Sequence, residues 1–270
     1  MERKPLSHKP LVEAVFELRW GLKEVQQATP VASQQVIIGS QQGISIDPNY
    51  KIMVGRLYER IKDKYPITQP LPTAAIPDEI AGYVVRQRFR PGEGEWPVVQ
   101  IGPGILTLNE TEKYVWDDFS GRIPHILNAF FEVYPPEDLD VNGLLLRYID
   151  AIDFDFGKEN IWVFLKELLK TGVNVPESLF DGTGISETPF ALDLRFSFAS
   201  SMPKGAMHLR FARGAKGTVE ALVMETMVQS IEADAPKTCG EIMDWVQDAH
   251  DLAEDWFFKL IEGELQRRFE

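Results

Sequence analysis

Phe190-Ala-Leu-Asp-Leu-Arg-Phe-Ser-Phe198 alternates apolar with polar or small residues along its whole length. Phe190, Leu192, Leu194, Phe196 and Phe198 fall on one side, and Ala191, Asp193, Arg195 and Ser197 on the other. A period of two marks a half-buried β-strand, one face on a core and one on water. Downstream, Ala206 to Ala212 and Thr218 to Gln229 read the same way, and Arg213-Gly-Ala-Lys-Gly217 predicts the turn of a hairpin. Upstream, the strand Leu144 to Phe156 alternates through Tyr148, Ile152, Phe154 and Phe156. A helix over Glu159 to Lys170 ends at Gly172. The polar stretch 173–188 exceeds what a tight connection needs, which suits a lid or a partner contact. Thr238-x-x-Glu241 is a capping box, and it opens one long helix predicted over 239–268. The stripe of that helix is Ile242, Trp245, Ala249, Leu252, Trp256, Leu260 and Phe269.

The first half follows a similar plan. Val12 to Trp20 is a strand, with Val12, Ala14, Phe16 and Leu18 opposite Glu13, Glu17 and Arg19. Residues 23–42 hold six glutamines and read as a connection or a short edge strand around Val36-Ile37-Ile38. Asp47-Pro48 supplies an N-cap and N1 proline for a helix reaching Tyr65, with Ile52, Leu57, Ile61 and Tyr65 as its buried stripe. Prolines 66, 70, 72 and 77 predict an extended surface loop without regular structure. Short strands follow at Gly82–Phe89, Trp96–Ile101 and Ile105–Asn109, the last two joined by Gly102-Pro-Gly104. Trp116, Phe119, Ile123, Leu127 and Phe131 stand at helical spacing, and the helix either kinks at Pro124 or begins there. Pro135-Pro136 closes this half.

Hairpin-linked strands with a few amphipathic helices imply an α+β fold, with mostly antiparallel sheets covered by helices on one face. The element order suggests two βαββα-like units, 1–138 and 139–270. Apolar strands on both sides of the boundary predict that the two pack as one compact unit.

Composition narrows the function classes. The chain has 270 residues, 44% hydrophobic and 26% charged, which is globular and excludes a disordered or fibrous protein. Lys+Arg number 28 against 41 Asp+Glu, and the net charge of −13 argues against nucleic acid as a partner. Cys239 is the sole cysteine, so no internal disulfide forms and a reducing cytoplasm is expected. The longest aliphatic or aromatic run, Ile161 to Leu165, is far too short to span a membrane. Phosphate loops, nucleophile elbows and zinc spacings are absent from the sequence, so no cofactor and no metal is expected.

Three stretches carry a resemblance. They are Pro10-Leu-Val-Glu-Ala-Val-Phe-Glu-Leu-Arg19; Gln100-Ile-Gly-Pro-Gly-Ile-Leu-Thr-Leu-Asn109 with Tyr114, Trp116 and Phe119; and Leu146-Arg-Tyr-Ile-Asp-Ala-Ile-Asp153. Together they resemble a sporadically distributed prokaryotic family of uncharacterised proteins of about this length. The resemblance implies no catalytic residue and no cofactor, and the family's patchy distribution points to mobile-element or defence neighbourhoods. Asp150 departs from the pattern, standing where a polar or basic residue is associated with the family.

Two constellations hold chemistry-bearing groups. On the last helix Asp244, Asp248, Asp251 and Asp255 form an acidic stripe. From residue 217 onward 13 acidic side chains face 4 basic ones, so a solvated acidic face explains that stripe better than a metal site. The second-half strands present Arg147, Asp153, Arg195, His208 and Arg210 on their polar sides. Guanidinium, imidazole and carboxylate groups there would suit a small anionic ligand, and cross-strand ion pairs would explain them equally well. Two function classes stand at this point. The leading one is a non-enzymatic binding or interaction protein with an unidentified protein partner, including a second copy of the chain. The alternative is a small-ligand-binding or enzymatic domain with a site between the second-half sheet and its helices. A deep pocket holding two or more convergent ionisable groups would favour the second.

Overall fold

Ala14, Phe16, Leu18 and Trp20 are buried and Glu13, Glu17 and Arg19 are partly exposed, so β1 (Leu11–Leu22) forms where the alternation predicts it. The computed structural model describes residues 6–22, 47, 49–77, 82–111, 113–134 and 139–270. The glutamine-rich segment 23–42 with its strand around Val36-Ile37-Ile38, Pro48, and Pro135-Pro136 lie outside the described residues. The first half adds β2 (Ile67–Pro70), β3 (Gln87–Arg90), β4 (Val98–Gly102) and β5 (Ile105–Glu110). The second half contributes β6 (Leu139–Asp153), β7 (Asp193–Ser201), β8 (Lys204–Lys216) and β9 (Val219–Ile231).

These strands make one nine-stranded antiparallel sheet, ordered β2-β3-β4-β5-β1-β6-β9-β8-β7. The order runs alike outward from the central pair, because the first strand of each half lies inside and its last strand lies next to it. Phe16 faces Leu146 across the β1–β6 ladder, which joins the halves by main-chain hydrogen bonds. The fold is mixed α+β.

The helices α1 (Tyr50–Ile61), α2 (Trp116–Val133), α3 (Ile161–Glu167), α4 (Cys239–Ile261) and α5 (Glu264–Phe269) pack on one face of the sheet. Two apolar clusters result. One joins Phe16, Leu18 and Leu146 of the sheet to Leu57, Phe130 and Trp245 of α1, α2 and α4. The other joins Ile152, Phe211 and Leu222 to Phe164 of α3 and to Leu260, Ile261 and Leu265. Trp256 packs against both, so the C-terminal third of α4 bridges a seam between the two clusters.

Four local readings need correction. Ile52 is 61% exposed, because the buried residues of α1 are Tyr50, Leu57 and Ile61, and a residue two positions after Tyr50 points about 200° away. The proline-rich stretch after α1 does form regular structure. Residues 67–70 pair with β3 as an edge strand, and proline is tolerated where one side of the strand faces no partner. Arg213 to Lys216 belong to β8, so the β8–β9 turn shrinks to Gly217-Thr218, with Gly217 at φ +63°. The C-terminal helix breaks at Gly263, whose φ of +107° is a conformation helices do not contain, and α5 starts afresh beyond it. At Pro124 the outcome is simple: α2 begins at Trp116 and runs through it.

The start of α4 matches its capping box. Thr238 Oγ1 accepts from the Glu241 main-chain N–H at 3.3 Å, and the Thr238 N–H donates to Glu241 Oε2 at 3.1 Å. Thr238→Ala is expected to lower unfolding stability by about 1 kcal/mol in a denaturant titration. An unchanged midpoint would show that the box contributes nothing.

Candidate functional site

The five residues singled out for an anion site all lie on the sheet face opposite the helices. Arg195 is the register partner of Arg210 and Arg210 of Glu225, while His208 pairs with Met227 and Met227 with Arg147. Asp153 lies three alternate positions along β6 from Arg147, opposite Ala221. Arg195 and Arg210 are brought together, and carboxylates come with them. Asp193 accepts from Arg195 (3.1 and 2.9 Å) and from Arg210 (2.8 and 3.1 Å), and Arg210 also pairs with Glu225. Hydrogen bonds from Arg195 and then Arg210 hold the Asp193 carboxyl well below the usual carboxylate range. His208 Nδ1 shares a hydrogen bond with Ser197 Oγ at 2.8 Å. Arg147 joins neither group, and its Nε is enclosed without a partner. The two arginines best placed for an anion are therefore already neutralised.

A different set of groups converges on the helix-covered side. At the seam between the two apolar clusters lies a cavity of about 260 Å³. Its floor is the sheet, with Tyr148 and Asp150 from β6 and Thr226 from β9. One wall is α4, through His250, Ala253, Glu254, Phe257 and Phe258. The remainder comes from the segment entering β1 (Leu6, Lys9, Pro10, Leu11) and from Tyr114. The chain places these groups by simple periodicities. Tyr148 and Asp150 continue the inward row Leu144, Leu146, and Thr226 sits between the inward-facing Met224 and Val228. His250 follows Ile242 and Val246 at steps of four along the buried side of α4. All three resemblance stretches meet here, contributing Pro10 and Leu11, Tyr114, and Tyr148 with Asp150.

Hydrogen bonds order part of the site. The Tyr114 and Tyr148 hydroxyls lie 2.9 Å apart, and Tyr148 Oη is 2.8 Å from His250 Nδ1. The imidazole is stacked on Trp116, with ring centroids 3.7 Å apart and planes inclined by 11°. Burial pulls the His250 imidazole down, so it is neutral at physiological pH, and burial pushes both tyrosine hydroxyls up. The relay is thus a chain of neutral, mutually satisfied groups that fixes the wall of the cavity.

Asp150 is different. It is 2% exposed, its Oδ2 has no hydrogen-bond partner, and the Thr226 hydroxyl is likewise enclosed without one. Burial alone pushes the Asp150 carboxyl up to about 7. A buried carboxyl without a counter-charge adopts its neutral form, because the ionised form loses solvation that nothing replaces. The charge of Asp150 therefore changes close to neutral pH.

Sequence reasoning passed over Asp150, Thr226 and His250, although the signals were present. Asp150 is a charged residue at a core-facing parity of its strand, between Tyr148 and Ile152. His250 lies off the acidic stripe of the last helix, and the opposite side of an amphipathic helix is its buried one. Thr226 gives a weaker signal, since threonine is ordinary in strands. Among the described residues, no group of three or more His, Cys, Asp or Glu side chains is arranged to hold a metal ion, and no helix is long and apolar enough to cross a membrane. No protein-family model matches the chain, and no curated protein matches it.

Proposed function

We propose that the protein binds a small organic molecule in the cavity between its sheet and α4, with Asp150 as the buried recognition group. The observation that carries this reading is the pair of unpartnered polar atoms, Asp150 Oδ2 and Thr226 Oγ1, enclosed beside an otherwise largely apolar space. Buried polar groups are nearly always hydrogen-bonded, and orphans on residues that line a cavity mark where a ligand's own polar group fits. Size supports the reading. Apolar cavities of ~150 Å³ hold benzene, so 260 Å³ accommodates a ring with a short polar arm. The relay from Tyr114 to His250 keeps the opening shaped without consuming Asp150 or Thr226. An interaction with a protein partner has its own support in Leu179, Ile185 and Phe190, which stand exposed along the loop region 173–192.

Methyl NMR of the pocket residues tests the ligand reading. In a fragment screen, shifted signals are expected to concentrate at Leu11, Thr226 and Ala253. Ala253→Leu, which extends a side chain into the cavity, is expected to abolish those shifts while the variant keeps its fold. Hits scattered over the surface, or shifts indifferent to Ala253→Leu, would contradict it.

A further inference from the structure

Resting on that ligand-binding reading, we infer that the molecule taken up by the cavity carries a protonated basic nitrogen, a primary or secondary ammonium, seated against Asp150 with its apolar body among the aromatic rings. The charges around the cavity point to this class. Asp150 lies on the floor and Glu254 in the α4 wall, whereas Lys9, the one lysine of the lining among the described residues, is exposed and donates to the Tyr114 carbonyl at 3.2 Å. Burial holds His250 neutral, so it brings no positive charge to the interior. An anionic ligand would leave the buried Asp150 carboxyl without a counter-charge. An ammonium instead supplies the counter-charge and the donors that Asp150 Oδ2 lacks, and it offers a donor to Thr226 Oγ1.

The rings favour the same ligand. Tyr114, Tyr148, Phe257 and Phe258 border the space, and aromatic faces attract ammonium groups most strongly where water is excluded. On α4 itself six acidic side chains stand against one lysine, Lys259, and a helix of that net charge favours cations near it. Binding is proton-coupled. Below its midpoint the Asp150 carboxyl is neutral, so entry of an ammonium transfers the carboxyl proton to solvent as the ion pair forms.

Calorimetry on the full chain with 2-phenylethylammonium and its uncharged isostere 2-phenylethanol tests the inference, with pocket methyl signals followed in parallel. The ammonium is expected to bind and the alcohol to bind far more weakly. Asp150→Asn is expected to weaken the ammonium ~30-fold or more, with Thr226→Val as a milder second variant. Near pH 6, binding is expected to release about one proton per ligand, falling towards none above pH 8. Equal binding of alcohol and ammonium, unaffected by Asp150→Asn, would overturn the ammonium inference and leave the ligand-binding reading standing. Failure of both probes to shift the Leu11, Thr226 and Ala253 methyls at millimolar concentration would overturn both.

Discussion

Asp150→Asn is expected to gain stability over the unmodified protein progressively as the pH is raised from 5 to 8. The carboxyl of Asp150 titrates at about 7 in the folded chain, against an ordinary value of 3.8. Between those two values the folded state holds a proton that the unfolded state has lost, so folding grows less favourable as pH rises. The contribution of the neutral carboxyl is complete below the unfolded-state value and has been lost once pH passes the folded value. A difference of about three units corresponds to ~4 kcal/mol in all, of which about 2–3 kcal/mol falls between pH 5 and 8. Asparagine does not ionise, so its deficit from an unpartnered amide is constant with pH, and only the difference between the two proteins carries the Asp150 titration. The gap in melting temperature should widen by roughly 5 °C across that range. A gap that stays flat would mean that Asp150 is not a buried, uncompensated acid.

Gly102→Ala is expected to destabilise the protein by about 3 kcal/mol or more, and the cause lies in the Gly-Pro-Gly turn of the resemblance motif. A Cβ on Gly102 would stand 1.8 Å from the carbonyl oxygen of Val84, with the Val84 carbonyl carbon and Val85 Cα also inside 3.0 Å. These are main-chain atoms fixed on either side of the contact, because Arg86 N–H donates to the Ile101 carbonyl and Tyr83 N–H to the Pro103 carbonyl. Relief therefore requires the segment at 83–86 to leave β4. Gly104 closes the same turn at φ +76°, with the Trp20 carbonyl oxygen 2.9 Å from where its Cβ would stand. By comparison, Gly121→Ala introduces a Cβ that meets nothing within 4 Å, and it is expected to leave stability unchanged or slightly improved by helix propensity. Equal midpoints for both variants in a denaturant titration would contradict the close-approach explanation.

The strands were legible wherever one face is wet. Along β1 the period of two tracks burial at Ala14, Phe16, Leu18 and Trp20, whereas β7 begins only at Asp193 and leaves Phe190 and Phe198 of the predicted apolar row 93% and 46% exposed. Legibility faded where a local signal was overruled by context. Prolines at 66 and 70 suggested a loop, but β2 is an edge strand and needs hydrogen bonds on one side only. Gly217 sets the β8–β9 turn more tightly than the glycine and charge pattern from Arg213 implied, because paired strands extend as far as register permits. α1 starts later than Asp47-Pro48 implied: Asn49 occupies the N-cap position, and Asp47 accepts from the Asn49 N–H at 2.9 Å and from Tyr134 Oη at 2.5 Å.

The candidate site was harder to read for a physical reason. Arg195 and Arg210 drew attention as charges on polar faces, and such charges find partners cheaply at a surface, as both have in Asp193. Asp150 is informative because it sits among apolar residues, where an acid has no inexpensive partner. Its parity along β6 was visible from the sequence. What periodicity could not supply was the vacancy beside it, since the cavity is formed by chain segments from residue 6 to residue 258 meeting at a seam between two cores.

The titration of the Asp150 side-chain carboxyl, followed by its 13C signal with and without saturating 2-phenylethylammonium, tests the account most directly. A midpoint close to 7 in the free protein that falls below the ordinary carboxylate value of 3.8 or moves strongly towards it on saturation is the predicted result. A free-protein midpoint already near 3.8, or one that the ammonium leaves in place, would contradict it.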